Sequence, residues 1–106
     1  QCTWWAYLRR HQLGLPVGSY FGNGQDWANS ARAHGYWVDN TPRHKGDVMV
    51  FRAGQEGASS VYGHVAIVES INADGTVTVS ECGASLNGKP ASRTLSNVND
   101  FQYIHY

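Results

Sequence analysis

Two apolar, β-branched runs separated by four turn-forming residues are the feature that most constrains the fold of this chain. Residues 65–71 and 76–80 alternate or run apolar, and residues 72–75 between them read Asn-Ala-Asp-Gly. Val, Ile and Thr favour strands, whereas Asn, Asp and Gly favour turns. The pattern predicts a β-hairpin, and if all four turn residues form the loop, Ile71 pairs with Thr76.

The predicted register of this hairpin brings two chemically active side chains together. Continued along the strands, it pairs Ala66 with Glu81 and sets His64 opposite Gly83. His64 and Glu81 are then diagonal neighbours on one face, because side chains on a strand repeat every two residues. A two-residue loop would keep them on that face, whereas a three-residue loop would separate them.

Cys2 stands at the front of a helix-forming run, and residues 3–13 are predicted to form a helix that ends near Gly14 and Pro16. A thiol has a pKa of about 8.5, but helix N-terminal amides and a nearby imidazolium favour its thiolate. Cys2 is therefore a candidate nucleophile. The alternative is a buried Cys that only fills space.

The second cysteine, Cys82, raises the alternative that Cys2 forms a disulfide. A disulfide between the two would silence the nucleophile. Cys82 directly follows Glu81, however, so its side chain is expected on the opposite face of the strand. The geometry favours two separate thiols over a bridge.

The remaining elements follow the order helix, strand, loop and strand. A second helix is predicted at 25–34, a first strand at 47–52, a loop at 53–62, a long loop with at most one short strand at 83–99, and a last strand at 102–106 that closes the sheet. Helices followed by an antiparallel sheet indicate an α+β fold.

Composition narrows the class of protein. The 106 residues suit a single domain, and eight Lys and Arg balance eight Asp and Glu. This neutrality gives no footprint for nucleic acid, and Arg9 and Arg10 are interpreted as a solvated helix face. No apolar run approaches the length of about 18 residues that a membrane span needs.

The other histidines show no metal-binding pattern. They lack a helical i,i+4 partner and a Cys pair at zinc spacing, and are interpreted as surface or packing residues: His11, His34, His44 and His105. No metal and no cofactor are expected.

Five motifs in order resemble the CHAP domain, the cysteine, histidine-dependent amidohydrolase/peptidase family of bacterial and phage cell-wall hydrolases. The matching segments are Gln1-Cys2-Thr3-Trp4-Trp5-Ala6, then Gly22-Asn23-Gly24 through Trp27-Ala28-Asn29, then Gly35-Tyr36-Trp37-Val38 with Pro42 and Gly46-Asp47-Val48, then Gly63-His64-Val65-Ala66, and last Ser80-Glu81. Together they cover nearly all of the chain.

The resemblance implies a papain-like fold, with N-terminal helices packed on an antiparallel sheet, and cleavage of amide bonds in peptidoglycan. In this interpretation Cys2 is the nucleophile, His64 the base, and Glu81 the group that orients the imidazole. Substrate contacts are expected from Gln1, Trp5, Tyr62 and Gly63. Residues 1–106 are expected to be one catalytic domain, a monomer excised from a longer secreted protein that acts on the cell wall.

The sequence also departs from the family pattern. Many relatives carry Asn two residues after the acid, where this chain has Gly83, and Thr3 replaces the Asp that follows the Cys in calcium-binding relatives. Calcium is therefore not implied. Two alternatives stay open, a non-catalytic module that binds wall polymer and a disulfide-locked structural domain. The sequence also leaves open whether the bond cut is that of an amidase or an endopeptidase.

Overall fold

The computed structural model describes residues 2–14, 26–55, 63–82 and 91–105, with side chains from Trp5 onward. Two helices come first in these ranges, α1 (Cys2–Gln12) and α2 (Trp27–Ala33). The strands are β1 (Trp37–Asp39), β2 (Val48–Phe51), β3 (His64–Ile71), β4 (Val77–Glu81), β5 (Ala91–Leu95) and β6 (Gln102–His105), with a 3₁₀ turn at Val98–Asp100. Neither helix is long and apolar enough to cross a membrane.

The end of α2 shows how local sequence sets a boundary. Gly35 takes a φ of +83°, a left-handed conformation that glycine adopts without strain. Its N–H donates to the carbonyl of Arg32, and the N–H of Tyr36 donates to the carbonyl of Ala31. This pair of bonds is the Schellman motif, which satisfies the last carbonyls of a helix. The helix predicted from residue 25 begins two residues later, at Trp27.

All strands pair antiparallel in one sheet, in the order β1-β6-β2-β3-β4-β5. The predicted α+β class is confirmed. The prediction that the last strand closes the sheet is wrong, because β6 lies in the interior between β1 and β2. β1 was not predicted, and β5 is the short strand within the segment that was predicted to be mostly loop.

The two faces of the sheet carry separate hydrophobic clusters. Helices α1 and α2 cover the first face, whose buried members are Ala6, Trp27, Ala28, Ala31, Val48, Val50, Val65, Ile67 and Ile104. The second face buries Met49, Phe51, Ala66, Val68, Val77, Val79, Leu95, Phe101 and Tyr103. Alternation along β2, β3 and β4 sends successive side chains to opposite clusters. The sheet is therefore apolar on both sides.

The hairpin of β3 and β4 keeps the predicted register near the site but not near its turn. Ile67 pairs with Ser80, as expected, whereas Ile71 pairs with Val77 and not with Thr76. The register shifts at Glu69, which stands as an extra residue in β3. A β-bulge of this kind offsets the extra residue of the loop, so the two departures cancel before His64 is reached.

Side-chain hydrogen bonds hold the hairpin loop in place. The N–H of Asn72 donates to the carbonyl of Thr76 at 2.9 Å, and Gly75 has a φ of +87°. Asp74 accepts hydrogen bonds from both the N–H and the hydroxyl of Thr76, at 3.0 and 2.6 Å. Asn, Asp and Gly thus play the turn-forming roles expected from the sequence.

The interpretation of Arg9 and Arg10 as a solvated helix face is wrong. Arg10 is only 1% exposed, and its guanidinium donates to the carbonyl of Gly46 at 2.9 Å. Arg9 forms an ion pair with Glu69 on β3. A buried arginine needs such partners, and the backbone of the turn before β2 supplies one. Sequence alone gave no sign of either partner because both are distant along the chain.

Candidate active site

His64 and Glu81 meet at one end of the β3–β4 hairpin. The Nε2 atom of His64 lies 2.8 Å from Oε1 of Glu81, within hydrogen-bond distance. Only 12% of the His64 side chain and 10% of the Glu81 side chain is exposed. The predicted shared face is confirmed, because His64 opens β3 and Glu81 ends β4 in the register that joins Ile67 to Ser80.

Two further side chains enclose this pair, and neither was predicted from the sequence. The ring of Phe51 on β2 packs edge-on against the His64 imidazole, with centroids 5.0 Å apart. Arg93 on β5 forms an ion pair with Oε2 of Glu81 and lies over the Phe51 ring. Arg93 could be found only once β5 had been recognised as the neighbour of β4.

The charge of Glu81 is stabilised by its neighbours. Burial alone would raise the pKa of this carboxyl group, but the hydrogen bond from His64 and the positive charge of Arg93 outweigh it. The pKa of Glu81 is therefore held below its ordinary value. A carboxylate at neutral pH can fix the orientation of an imidazole and stabilise its protonated form.

Cys2 is the first residue of α1, and its side chain lies outside the described residues. The direction of α1 is given by two contacts. Arg9 meets Glu69 in the second half of β3, and Trp5 meets Ser80, the partner of Ile67. From residue 9 to residue 5 the helix therefore runs towards the end of the hairpin where His64 and Glu81 lie.

A polar network fixes α1 in this position. Arg9 donates to both carboxylate oxygens of Glu69, at 2.7 and 2.8 Å. The hydroxyl of Ser80 donates to Oε2 of Glu69 at 2.6 Å, and the indole N–H of Trp5 donates to the same hydroxyl at 3.0 Å. The bulged residue Glu69 thus connects α1 to both strands of the hairpin.

Replacing Glu69 with Gln is expected to lower the free energy of unfolding by about 1–2 kcal/mol at pH 7, since two charge-assisted bonds are weakened. Hydrogen bonds from Arg9 hold the pKa of Glu69 below its ordinary value of 4.5, against the opposing effect of burial. The contribution is therefore present above about pH 4.5 and is lost as the pH falls further. Urea unfolding of parent and variant at pH 7 and pH 3 measures the difference.

Asp100→Asn provides the control, because Asp100 is an exposed carboxylate outside this network. It is expected to change stability little at either pH. A gap between parent and Glu69→Gln that stays constant down to pH 3 would contradict the assigned role of the charge.

Two of the four residues predicted to contact substrate lie within the described residues. Trp5 is half-buried and bonded to Ser80, which gives it a structural contact, and its substrate role stays a prediction. Gly63 is buried and has a φ of +70° just before His64. Gln1 and Tyr62 lie outside the described residues.

Cys82 is a free thiol with no exposed surface. The alternative in which it forms a disulfide with Cys2 is therefore not the arrangement found. A buried thiol of this kind behaves as a small apolar side chain.

A second cluster of titratable groups lies at the other end of β2. His105 on β6 is buried between Asp39 and Asp47, and His44 lies beside Asp47. The ring atoms of the two histidines and a carboxylate oxygen of Asp47 lie within 4.8 Å of one another, which is a set that could hold a metal ion. The interpretation of these histidines as surface or packing residues fits the exposed His44 and the buried His105. It did not foresee that the two rings lie next to each other.

Comparisons with known proteins agree on the family. The family model described as the CHAP domain matches residues 1–83. A probable autolysin, LDP, of Staphylococcus aureus is 41% identical over 104 residues, which are 98% of this chain and 35% of that protein. The staphylococcal secretory antigen ssaA2 of Staphylococcus aureus is 40% identical, over 99% of this chain and 37% of that protein.

A solved structure extends the likeness to the fold. The crystal structure of an N-acetylmuramoyl-L-alanine amidase from Staphylococcus aureus matches with a TM-score of 0.88 and 37% identity, over 99% of this chain and 30% of that one. This chain thus spans about a third of the length of these relatives. Since the family model covers most of its residues, the chain belongs to the CHAP domain family.

Proposed function

We propose that this chain is a catalytic domain that cleaves amide bonds in peptidoglycan. Cys2 is the nucleophile, His64 the acid and base, and Glu81 the residue that orients the imidazole. The observation that carries the proposal is the 2.8 Å contact between His64 and Glu81 in a chain of this family. It is the base-and-orienter half of a thiol hydrolase site.

The proposed reaction is acyl transfer through the thiol. The Cys2 thiolate attacks the carbonyl carbon of the amide, and His64 protonates the departing amine. Water then gives a proton to His64 as it attacks the acyl group and releases it from sulfur. Because Nε2 of His64 faces Glu81, the proposal assigns both proton transfers to Nδ1. The amide N–H of Cys2 and a donor from Gln1 are proposed to hold the oxyanion.

The direction of helix α1 supports the assignment of Cys2 as the nucleophile. The helix approaches the His64 end of the hairpin with its N-terminus, where backbone amides favour a thiolate. Helices cover the first face of the sheet, whereas His64 and Glu81 alternate onto the second. The proposal therefore requires the thiol and the imidazole to meet at the end of the sheet and not above either face.

The substrate class is proposed from the relatives. One is called an autolysin and another an N-acetylmuramoyl-L-alanine amidase, a name that specifies the amide between the glycan and the first residue of the stem peptide. We assign this bond to the present chain in preference to a bond within the peptide. His64 and Glu81 supply general acid–base chemistry that would serve the cleavage of either bond.

The proposed place of action is the cell wall outside the membrane. A relative called a secretory antigen is consistent with export, and each relative is about three times as long as this chain. We propose that the domain works as a monomer within a longer secreted protein, where other segments hold it on the wall.

Digestion of purified cell walls tests the proposed reaction. The parent chain is expected to release stem peptides with a free N-terminal L-alanine, which mass spectrometry identifies, while the number of reducing sugar ends stays constant. Peptides cut internally would favour an endopeptidase over the amidase. Reducing ends without new amino groups would contradict amide cleavage altogether.

The alternative of a binding module predicts a different result. Such a module would sediment with the walls and release no fragments, and its thiols would react at ordinary rates with a disulfide reagent. A catalytic Cys2 is expected to react much faster than a free cysteine at neutral pH. An ordinary rate together with intact walls would support the binding module.

A further inference from the structure

The cluster around His105 lies away from the candidate active site. Ile104 pairs with Val48 at the start of β2, whereas His64 pairs with Phe51 at its end. Three residues of strand separate these positions, roughly 10 Å. Nothing in the proposed acyl transfer uses this cluster.

His105 is held through its Nε2 atom by the carboxylate of Asp39. Its Nε2 lies 2.7 Å from Oδ1 of Asp39, and only 3% of its side chain is exposed. Asp39 is fixed in turn by the N–H of Thr41 at 3.1 Å and by Arg43 at 2.8 Å. Oδ1 of Asp39 is thus placed to accept a hydrogen bond from this ring nitrogen.

The second ring nitrogen of His105, Nδ1, contacts a carboxylate without forming a hydrogen bond. Its Nδ1 lies 2.7 Å from Oδ2 of Asp47, yet the direction of the contact is not that of a hydrogen bond. Among the described residues Nδ1 therefore has no hydrogen-bond partner, although it is buried. A buried ring nitrogen of this kind is available as a metal ligand.

His44 supplies a third potential ligand atom beside Asp47 and His105. Nδ1 of His44 lies 3.7 Å from Oδ1 of Asp47. The other oxygen of Asp47 is occupied by the backbone N–H groups of Arg43 and His44, at 2.9 and 2.8 Å. Asp47 is thereby held with Oδ1 towards His44. Tetrahedral zinc with bonds near 2.1 Å needs ligand atoms roughly 3.4 Å apart, close to the 3.7 Å between Nδ1 of His44 and Oδ1 of Asp47.

We infer that His44, Asp47 and His105 form a binding site for a zinc-class divalent ion, with Asp39 as the carboxylate that orients His105. A metal-bound histidine usually donates its other N–H to a carboxylate, and the Asp39–His105 contact has this form. The ring and carboxylate atoms lie within 4.8 Å of one another, and His44, with 67% of its side chain exposed, is free to close the remaining distance.

The ligand set specifies the class of ion. Two imidazoles and one carboxylate suit zinc and its first-row neighbours, whereas calcium and magnesium prefer oxygen ligands only. A fourth position is left for water. The exposed His44 provides the path by which the ion enters. Bound metal would join β6 to the segment that precedes β2, and would stabilise the domain without taking part in wall cleavage.

Titration with zinc chloride alone tests the site. Isothermal calorimetry of the parent chain is expected to show one bound zinc ion, and calcium chloride is expected to give no heat. His44→Ala, whose target is exposed and outside the core, is expected to weaken zinc binding at least tenfold. Asp39→Asn is expected to weaken it 10- to 100-fold, as outer carboxylates of metal-bound histidines do.

His11→Ala is the matched control, because His11 is an exposed histidine on α1 that is not one of the three proposed ligands. It should bind zinc like the parent. The series is repeated in a Cys2→Ala background, so that zinc on the candidate catalytic thiol is not counted. Absence of zinc binding, or equal affinities for the parent and His44→Ala, would overturn the proposed site. Neither outcome bears on the proposed wall cleavage.

Discussion

Cys2→Ala is expected to abolish the release of wall fragments while leaving the fold intact. The acyl intermediate cannot form without the thiol, and the rate should fall by roughly 10⁴ to 10⁶, as in other hydrolases that lose a nucleophile. Alanine is the best helix former, so the first residue of α1 tolerates it. Mass spectrometry of digested walls measures the activity, and circular dichroism checks the fold.

Cys82→Ser supplies the matched control, since Cys82 is the other cysteine and its thiol is free and buried. This variant is expected to keep lysis near the parental level. It should lose some stability, because a hydroxyl replaces an apolar thiol in the interior. Lysis by Cys2→Ala at the parental rate, or its loss in a well-folded Cys82→Ser, would show that the nucleophile has been assigned to the wrong residue.

The hairpin was the most predictable part of the fold, because its strand and turn preferences are local. The pairing of Ile67 with Ser80 followed from the runs of β-branched residues. The prediction nevertheless assumed a four-residue loop and no bulge. The bulge at Glu69 depends on partners in α1 and in β4 that a strand pattern does not encode. The face shared by His64 and Glu81 was correct because the two errors cancel.

Strand order was beyond the reach of the sequence because it depends on contacts between distant segments. The position of β6 between β1 and β2 depends on pairings such as Trp37 with His105 and Val48 with Ile104. Local preferences found β6 as a strand but could not give it neighbours. The same limit hid Arg93, whose charge reaches Glu81 only because β5 lies beside β4.

Buried charge was the other feature that sequence could not reveal. Arg10 and His105 look like surface residues in a sequence, since charged and polar groups are seldom buried without partners. Their partners, the carbonyl of Gly46 and the carboxylates of Asp39 and Asp47, come from segments far along the chain. Only the folded chain shows that these charges are compensated.

His64→Ala and Glu81→Gln are expected to have unequal effects on wall cleavage. His64→Ala removes the acid and base, worth about 10² to 10⁴ in rate, and should approach the loss seen with Cys2→Ala because the residues act as a unit. Glu81→Gln should keep part of the activity. Its amide oxygen can still accept the 2.8 Å bond from Nε2 of His64, although the ion pair with Arg93 is lost.

The kinetic form of the Glu81→Gln effect separates orientation from mere structural support. A residue that acts through His64 changes the chemical step, so kcat should fall while KM for soluble wall fragments stays near the parental value. Glu81→Ala, which removes the acceptor altogether, should fall further than Glu81→Gln. If all three variants of this pair were equally inactive and properly folded, Glu81 would have a part in the chemistry itself, since orientation of the ring alone would have been rescued by the amide.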